Sequence, residues 1–258
     1  EVTVRILPIP PAARAILIGF CSSEAAGNCV AAIIGAGIIP GGIEMMDRKA
    51  IHAVEEFVHA GYPLSVEALL IVELDGPEEE VEFLTKRVGQ IAHDSGASLV
   101  QASRNEEERL LFWAGRKAAF PAIGRVSPDY YCMDGTIPRH RLPEVLKRIG
   151  EASQRYGLGV ANVFHAGDGN LHPLILYDAN TPGELESAEK FGAEILALCV
   201  EVGGVLTGLG TRMARGCTSG HGVSGIGRLS LRSFIAVPVF LGVAILTVFT
   251  LKNLIYFF

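Results

Sequence analysis

The stretch His165-Ala166-Gly167-Asp168-Gly169-Asn170-Leu171-His172-Pro173 is the densest chemical signal in this 258-residue chain, and its reading decides the fold class. Residues 159–164 before it and 174–177 after it read as strands. Asp-Gly between two strand runs predicts a tight hairpin, because a two-residue type I′ loop needs positive φ at both central residues. With Asp168-Gly169 as that loop, Gly167 faces Asn170, Ala166 faces Leu171 and His165 faces His172. Directly opposed residues share one face of the sheet, with Cβ atoms about 4.5–5.5 Å apart. Two imidazoles so placed can share one divalent ion. The other reading is a glycine-rich hairpin whose histidines only form hydrogen bonds. Under either reading the hairpin requires an antiparallel pair.

Outward from the hairpin, residues 12–204 alternate strand and helix. Residues 15–20 and 43–46 are short apolar strands, followed by the helix N-cap candidates Ser22, Ser23 and Asp47. Residues 68–74 form an unbroken apolar run, the mark of a central strand covered on both faces. Glu78, Glu79 and Glu80 suit the positive end of the next helix, with Val81, Leu84, Val88 and Ile91 as its buried stripe. Strands at 98–101 and 130–134 bracket a helix over 106–117, and residues 141–156 form an amphipathic helix. After the hairpin, a last helix runs from Thr181 to the Gly203-Gly204 pair. This order predicts an α+β fold of two ferredoxin-like halves, with a mixed or antiparallel sheet and helices on one side. A parallel dinucleotide-binding sheet is the rival, disfavoured by the hairpin and by the lack of a G-x-G-x-x-G after any strand.

Composition narrows the function. A net charge of −6 gives no electrostatic case for nucleic acid. Cys21, Cys29, Cys132, Cys199 and Cys217 show no paired-ligand spacing, which fits reduced thiols in a cytosolic setting. Hydrophobic residues make up 49% of the chain, and the excess gathers near the end. Residues 209–232 are rich in glycine and carry Arg212, Arg215, Arg228 and Arg232 with no acid. Residues 233–251 are then uncharged and apolar, the length of a membrane-spanning helix with a cytoplasmic start. A buried core helix is the alternative. At the other end, residues 1–7 alternate like a strand and run into Pro8-Ile9-Pro10-Pro11. Residues 1–11 therefore read as the last strand and linker of a preceding domain.

Three motifs carry a resemblance: Phe112-Trp113-Ala114-Gly115-Arg116-Lys117, Asp129-Tyr130-Tyr131-Cys132-Met133-Asp134, and His165 through Pro173. Residues 1–208 resemble the C-terminal part of FAD-linked 2-hydroxyacid oxidases and dehydrogenases of the glycolate oxidase type. The resemblance implies that residues 12–208 form a cap domain closing a substrate site over a flavin held by another domain. It implies that a small 2-hydroxy acid is oxidised to the 2-oxo acid, and that a separate FAD-domain or iron–sulfur subunit is a partner. It places a divalent metal, of zinc or manganese type, on His165 and His172, the substrate carboxylate on Arg116, and Asn170 near flavin or substrate. For Arg116 a solvated helix position is the plain alternative, and for Asn170 a turn-forming one. The sequence also departs from the family. Where relatives carry Glu-His-Gly, with a third metal ligand and a base, this chain reads Leu209-Gly210-Thr211. From there to residue 258 the chain resembles part of the YeeE/YedE-type sulfur transport family, carried by residues 210–225 and 229–233, which implies a sulfur-substrate role for Cys217. The combination reads as a fusion: a cap domain anchored to the inner membrane by the helix over 233–258, and inactive by itself.

Overall fold

The computed structural model describes residues 9–204. The expected leading strand, the Gly/Arg-rich loop, the Cys217 motif and the membrane helix lie outside the described residues. Among the described residues no helix is long and apolar enough to cross a membrane.

The chain runs β1 (Ala12–Phe20), α1 (Ser23–Gly35), β2 (Gly42–Asp47), α2 (Arg48–Val58), β3 (Ala68–Gly76), α3 (Glu78–Asp94) and β4 (Leu99–Ala102). It continues through α4 (Glu106–Lys117), α5 (Ala119–Ile123), β5 (Asp129–Cys132), β6 (Gly135–Thr136), α6 (Leu142–Tyr156), β7 (Gly159–Phe164), β8 (Asn170–Leu171), β9 (Pro173–Tyr177) and α7 (Glu184–Cys199). Helix starts follow local chemistry. Ser22, Asp47 and Asn105 each accept a backbone N–H of their own first turn. The three acids at the start of α3 face the positive end of its dipole.

Seven strands form one sheet in the order β4-β1-β3-β2-β7-β9-β5, and β6 pairs with β8 beside it. Every described pair is antiparallel, which removes the parallel rival. The first four strands take the order 4-1-3-2, the split βαβ arrangement of a ferredoxin-like unit, with α2 added between β2 and β3. In the second half, β5, β9 and β7 repeat three of those four positions. The halves meet where β2 pairs with β7.

Helices on one side is corrected. Ile16, Ile18, Leu70 and Val72 pack with α1, α3, α6 and α7 on one face. Ala15, Leu17, Leu69 and Ile71 pack with α2, α4 and α5 on the other. The cause is the apolar run in β1 and β3: Ile16, Leu17, Ile18, Leu69, Leu70, Ile71 and Val72 are all fully buried. A strand apolar at every position cannot leave either face to water without losing roughly 1.5–3 kcal/mol per exposed large side chain.

Candidate active site

The histidines do come together, but by a different register. His165 pairs with Asn170, and Asn162 pairs with Pro173, so the hairpin loop is the four residues 166–169. Of these only Gly169 has positive φ, at 73°, so the loop is not a type I′ turn. Tertiary contacts select it. Gly167 N–H donates to Ile43 O across the β2–β7 seam at 2.9 Å. A Cβ on Gly169 would lie 2.2 Å from Ile137 O, so only glycine fits there. The shift places His172 diagonal to His165 instead of opposite it. A shift by two residues keeps both side chains on the same face, because the side-chain period of a strand is two. Their rings lie 5.1 Å apart, edge to face.

The same parity rule builds the rest of the site. On β2, Glu44 points to the face of Met46, which packs with α2, α4 and α5. β2 and β7 pair Met45 with Phe164 and Met46 with Val163, which puts Glu44 opposite His165 and Asp47 opposite Asn162. Each polar residue then closes its own contact. Asp47 Oδ2 accepts from the backbone N and from Nδ2 of Asn162, both at 2.8 Å. Glu44 Oε1 accepts from Nδ1 of His165 at 2.8 Å, and Oε2 accepts from Nε of Arg116 at 2.9 Å.

Arg116 reaches this point from α4, whose Gly115 packs directly on Tyr62 in the segment between α2 and β3. A Cβ there would meet the Tyr62 hydroxyl at 2.4 Å. Arg116 is only 7% exposed, so it is not a solvated helix residue. Its Nη2 lies 2.8 Å from Glu44 Oε2 yet has no hydrogen-bond partner among the described residues. Off-angle proximity to a carboxylate supplies charge compensation without satisfying the donor, so this buried N–H remains available to an acceptor. Asn170 pairs with His165 through its backbone, and its buried Oδ1 has no hydrogen-bond partner among the described residues.

The two imidazoles differ in charge. Glu44 holds the His165 pKa above the usual histidine value against partial burial. Burial pushes His172 down to about 4, with the positive charges of His165 and Arg116 adding to the effect. His172 is neutral at pH 7. The Phe120 ring of α5 packs against it at 6.2 Å, and Asp134 Oδ1 lies 3.8 Å from its Nδ1. A cleft of about 170 Å³ borders His165 on the Glu44 side, lined in part by Ile39, Arg139 and Asp168; neither His172 nor Arg116 lines it. It is below the roughly 300–1,000 Å³ of pockets for drug-sized ligands.

Two groups implied by the resemblance fit this structure only in part. Catalytic metal sites use about three protein ligands. Among the described residues no group of three His, Cys, Asp or Glu side chains is placed to hold an ion. Nor does any strand here lead through a glycine-rich loop into a helix, the device that cradles a dinucleotide pyrophosphate. Glu44 was not singled out in the sequence, and Asp134 stood there only as the end of the Asp129–Asp134 motif. The available signal for Glu44 was one acid inside the apolar strand Ile43-Glu44-Met45-Met46.

Residues 188–246 match the family model for sulphur transport, overlapping α7 and continuing past the described residues. The glycolate oxidase subunit GlcD of Escherichia coli strain K12 is 60% identical over 208 residues, 81% of this chain and 42% of that protein. The subunit of the same name from Bacillus subtilis strain 168 is 33% identical over 208 residues, 81% of this chain and 44% of that protein. The chain thus spans less than half the length of these relatives. Among solved structures, 4-ethylphenol oxidase from Gulosibacter chungangensis superposes with a TM-score of 0.55 at 13% identity, covering 76% of this chain and 45% of that one, a likeness of fold alone. Residues 9–209 match the model of the FAD linked oxidases, C-terminal domain, and the chain belongs to that family.

Proposed function

We propose that residues 9–209 are the substrate-side domain of a glycolate-type, FAD-dependent 2-hydroxy acid oxidoreductase. The carrying observation is the site at the β2–β7 seam: an unsatisfied buried guanidinium donor beside two histidines 5.1 Å apart, one of them neutral. Arg116 Nη2 takes an oxygen of the substrate carboxylate, a pairing suited to the planar guanidinium. With no ion bound, the 2-hydroxyl donates to neutral His172, which holds the C–O bond in one orientation; with an ion bound, that lone pair goes to the metal instead. The Phe120 ring and the buried sheet face shield His172 and Arg116, while the His165 side chain, 43% exposed, opens to solvent. In this family FAD is the electron acceptor of such an oxidation. Here the flavin is held outside residues 9–204, by another domain or a separate subunit, in keeping with relatives that are themselves named as subunits of glycolate oxidase.

A divalent ion of zinc or manganese type is the finer part of the proposal. His165 and His172 supply two nitrogen ligands; at the position of the relatives' third ligand this chain has Leu209. Equilibrium dialysis with zinc and manganese tests it. One ion per chain, lost in His165→Ala and in His172→Ala, supports the ligand pair. Equal uptake by the wild type and both variants removes it.

Isotope-labelled chain titrated with glycolate, D-lactate and acetate tests the substrate reading. Shifts of the Arg116, His165 and His172 side-chain signals with glycolate and D-lactate, and at least ~5-fold weaker binding of acetate, are expected. Equal response to acetate would show that the hydroxyl is not read.

A further inference from the structure

Glu44 has the geometry of a device and no place yet in the chemistry. It is 8% exposed, it sits on the central strand of the seam, and its two oxygens serve two different functional side chains. We propose that Glu44 is the positioning residue of the site: its carboxylate fixes the tautomer of His165 and the orientation of Arg116 at once.

The argument is one of donors and acceptors. An ionised carboxylate only accepts, and a guanidinium only donates. Glu44 Oε2 is occupied by Arg116 Nε, and Oε1 faces His165 Nδ1 at 2.8 Å. The proton between Glu44 and His165 therefore sits on Nδ1. In the neutral imidazole that leaves Nε2 of His165 with a free lone pair, the state needed to accept a proton or bind an electrophile. The same arrangement, a carboxylate on the far nitrogen, orients histidines in metal and catalytic sites generally. Glu44 also cancels the charge of Arg116 without satisfying all its donors, so Nη2 stays available. The carboxylate thus joins β2 of the first half, α4, and the hairpin of the second half in one contact.

Glutamine at this position makes the idea testable, because it keeps the shape and changes the donor count. An amide has one acceptor oxygen. Arg116 has no acceptor and must keep that oxygen, so the amide NH2 turns to His165. An NH2 can only donate, so Nδ1 must give up its proton and His165 must become the Nε2–H tautomer.

The experiment is nitrogen-15 NMR of the histidine side chains in the full 258-residue chain, at a pH where both imidazoles are neutral. Wild type is expected to show His165 as Nδ1–H, Glu44→Gln mainly as Nε2–H, and Arg116→Gln to retain Nδ1–H. An amide map unchanged away from residue 44 checks that the variant is folded. His165 as Nε2–H in the wild type overturns the proposal whether or not any variant folds. Nδ1–H persisting in folded Glu44→Gln overturns it too. The value of this device for catalysis rests on the 2-hydroxy acid reading, and the two are separable. Glycolate added to the same samples should bind Glu44→Gln at least ~10-fold more weakly than wild type. No response in the wild type would sink the substrate reading and leave the tautomer result standing.

Discussion

The two halves of the sheet differ in how much pairing they devote to structure. In the first half β1 and β3 align nine residue pairs, and β2 adds six more against β3. In the second, β7 and β9 align four, as do β5 and β9. Of the side chains with chemistry, His165, Asn170 and His172 belong to the lightly paired half, where β8 is two residues long. The well-paired half contributes the buried acid Glu44 at the boundary and, through α4 packed on its face, Arg116. A long ladder offers a rigid reference edge, and short strands leave backbone free to turn. Functional groups gain from standing on the second while being held by the first.

If the seam joins the halves into one cooperative unit, cutting it should destabilise both. Phe164 is fully buried and pairs with Met45 across the seam. Phe164→Ala is expected to lower stability by about 3–5 kcal/mol in a single urea transition. A first-half transition left in place would show two independent units. Asp47→Ala removes the α2 cap and leaves the Asn162 donors without their acceptor. A loss of about 2–4 kcal/mol is expected, from about 1 for the cap and the rest from stranded donors. Asp47→Asn, which keeps an acceptor, should lose less.

The histidines sharpen the comparison by pH. The folded pKa of His172 is pushed down to about 4 from 6.5. Between those values the unfolded chain takes up a proton that the folded chain refuses. His172 therefore contributes stability that is fully present above about pH 6.5 and is lost as pH falls toward 4, up to about 3 kcal/mol. His165 has the opposite sign. Its raised pKa contributes stability present below about 6.5 and lost as pH rises through the folded value. Melting curves of His172→Gln should lose less stability than wild type between pH 6.5 and 4.5. An unchanged slope would mean the imidazole is not buried as described. The smallest effect belongs to the surface pairs on α6. Arg148→Ala, which breaks an exposed contact with Glu201, should cost no more than about 1 kcal/mol.

Local periodicity carried much of this fold into the sequence. The hairpin, the alternation of strand and helix, and the shared face of His165 and His172 were legible because each depends on spacing within a few residues. The hairpin register was not, because Ile43 and Ile137 choose the loop from far along the chain. The second helical layer follows from the apolar run at 68–74, whose meaning for both faces conflicts with helices on one side. Arg116 was reachable through the resemblance, since a lone arginine near a helix end gives no sign of burial. Glu44 was not, because its partners His165 and Arg116 stand 121 and 72 positions away. A pairing of that range leaves no local pattern.

The central claim is that the seam site handles a 2-hydroxy acid for a flavin held elsewhere. Its most direct test is a hybrid in which residues 9–208 of this chain replace the matching part of the Escherichia coli glycolate oxidase subunit, whose own Glu-His-Gly follows. Anaerobic glycolate should bleach the flavin of the hybrid, and His172→Ala or Arg116→Gln should slow that reduction at least ~100-fold, with bound FAD unchanged. Flavin reduction at the hybrid's own rate in both variants would contradict the account.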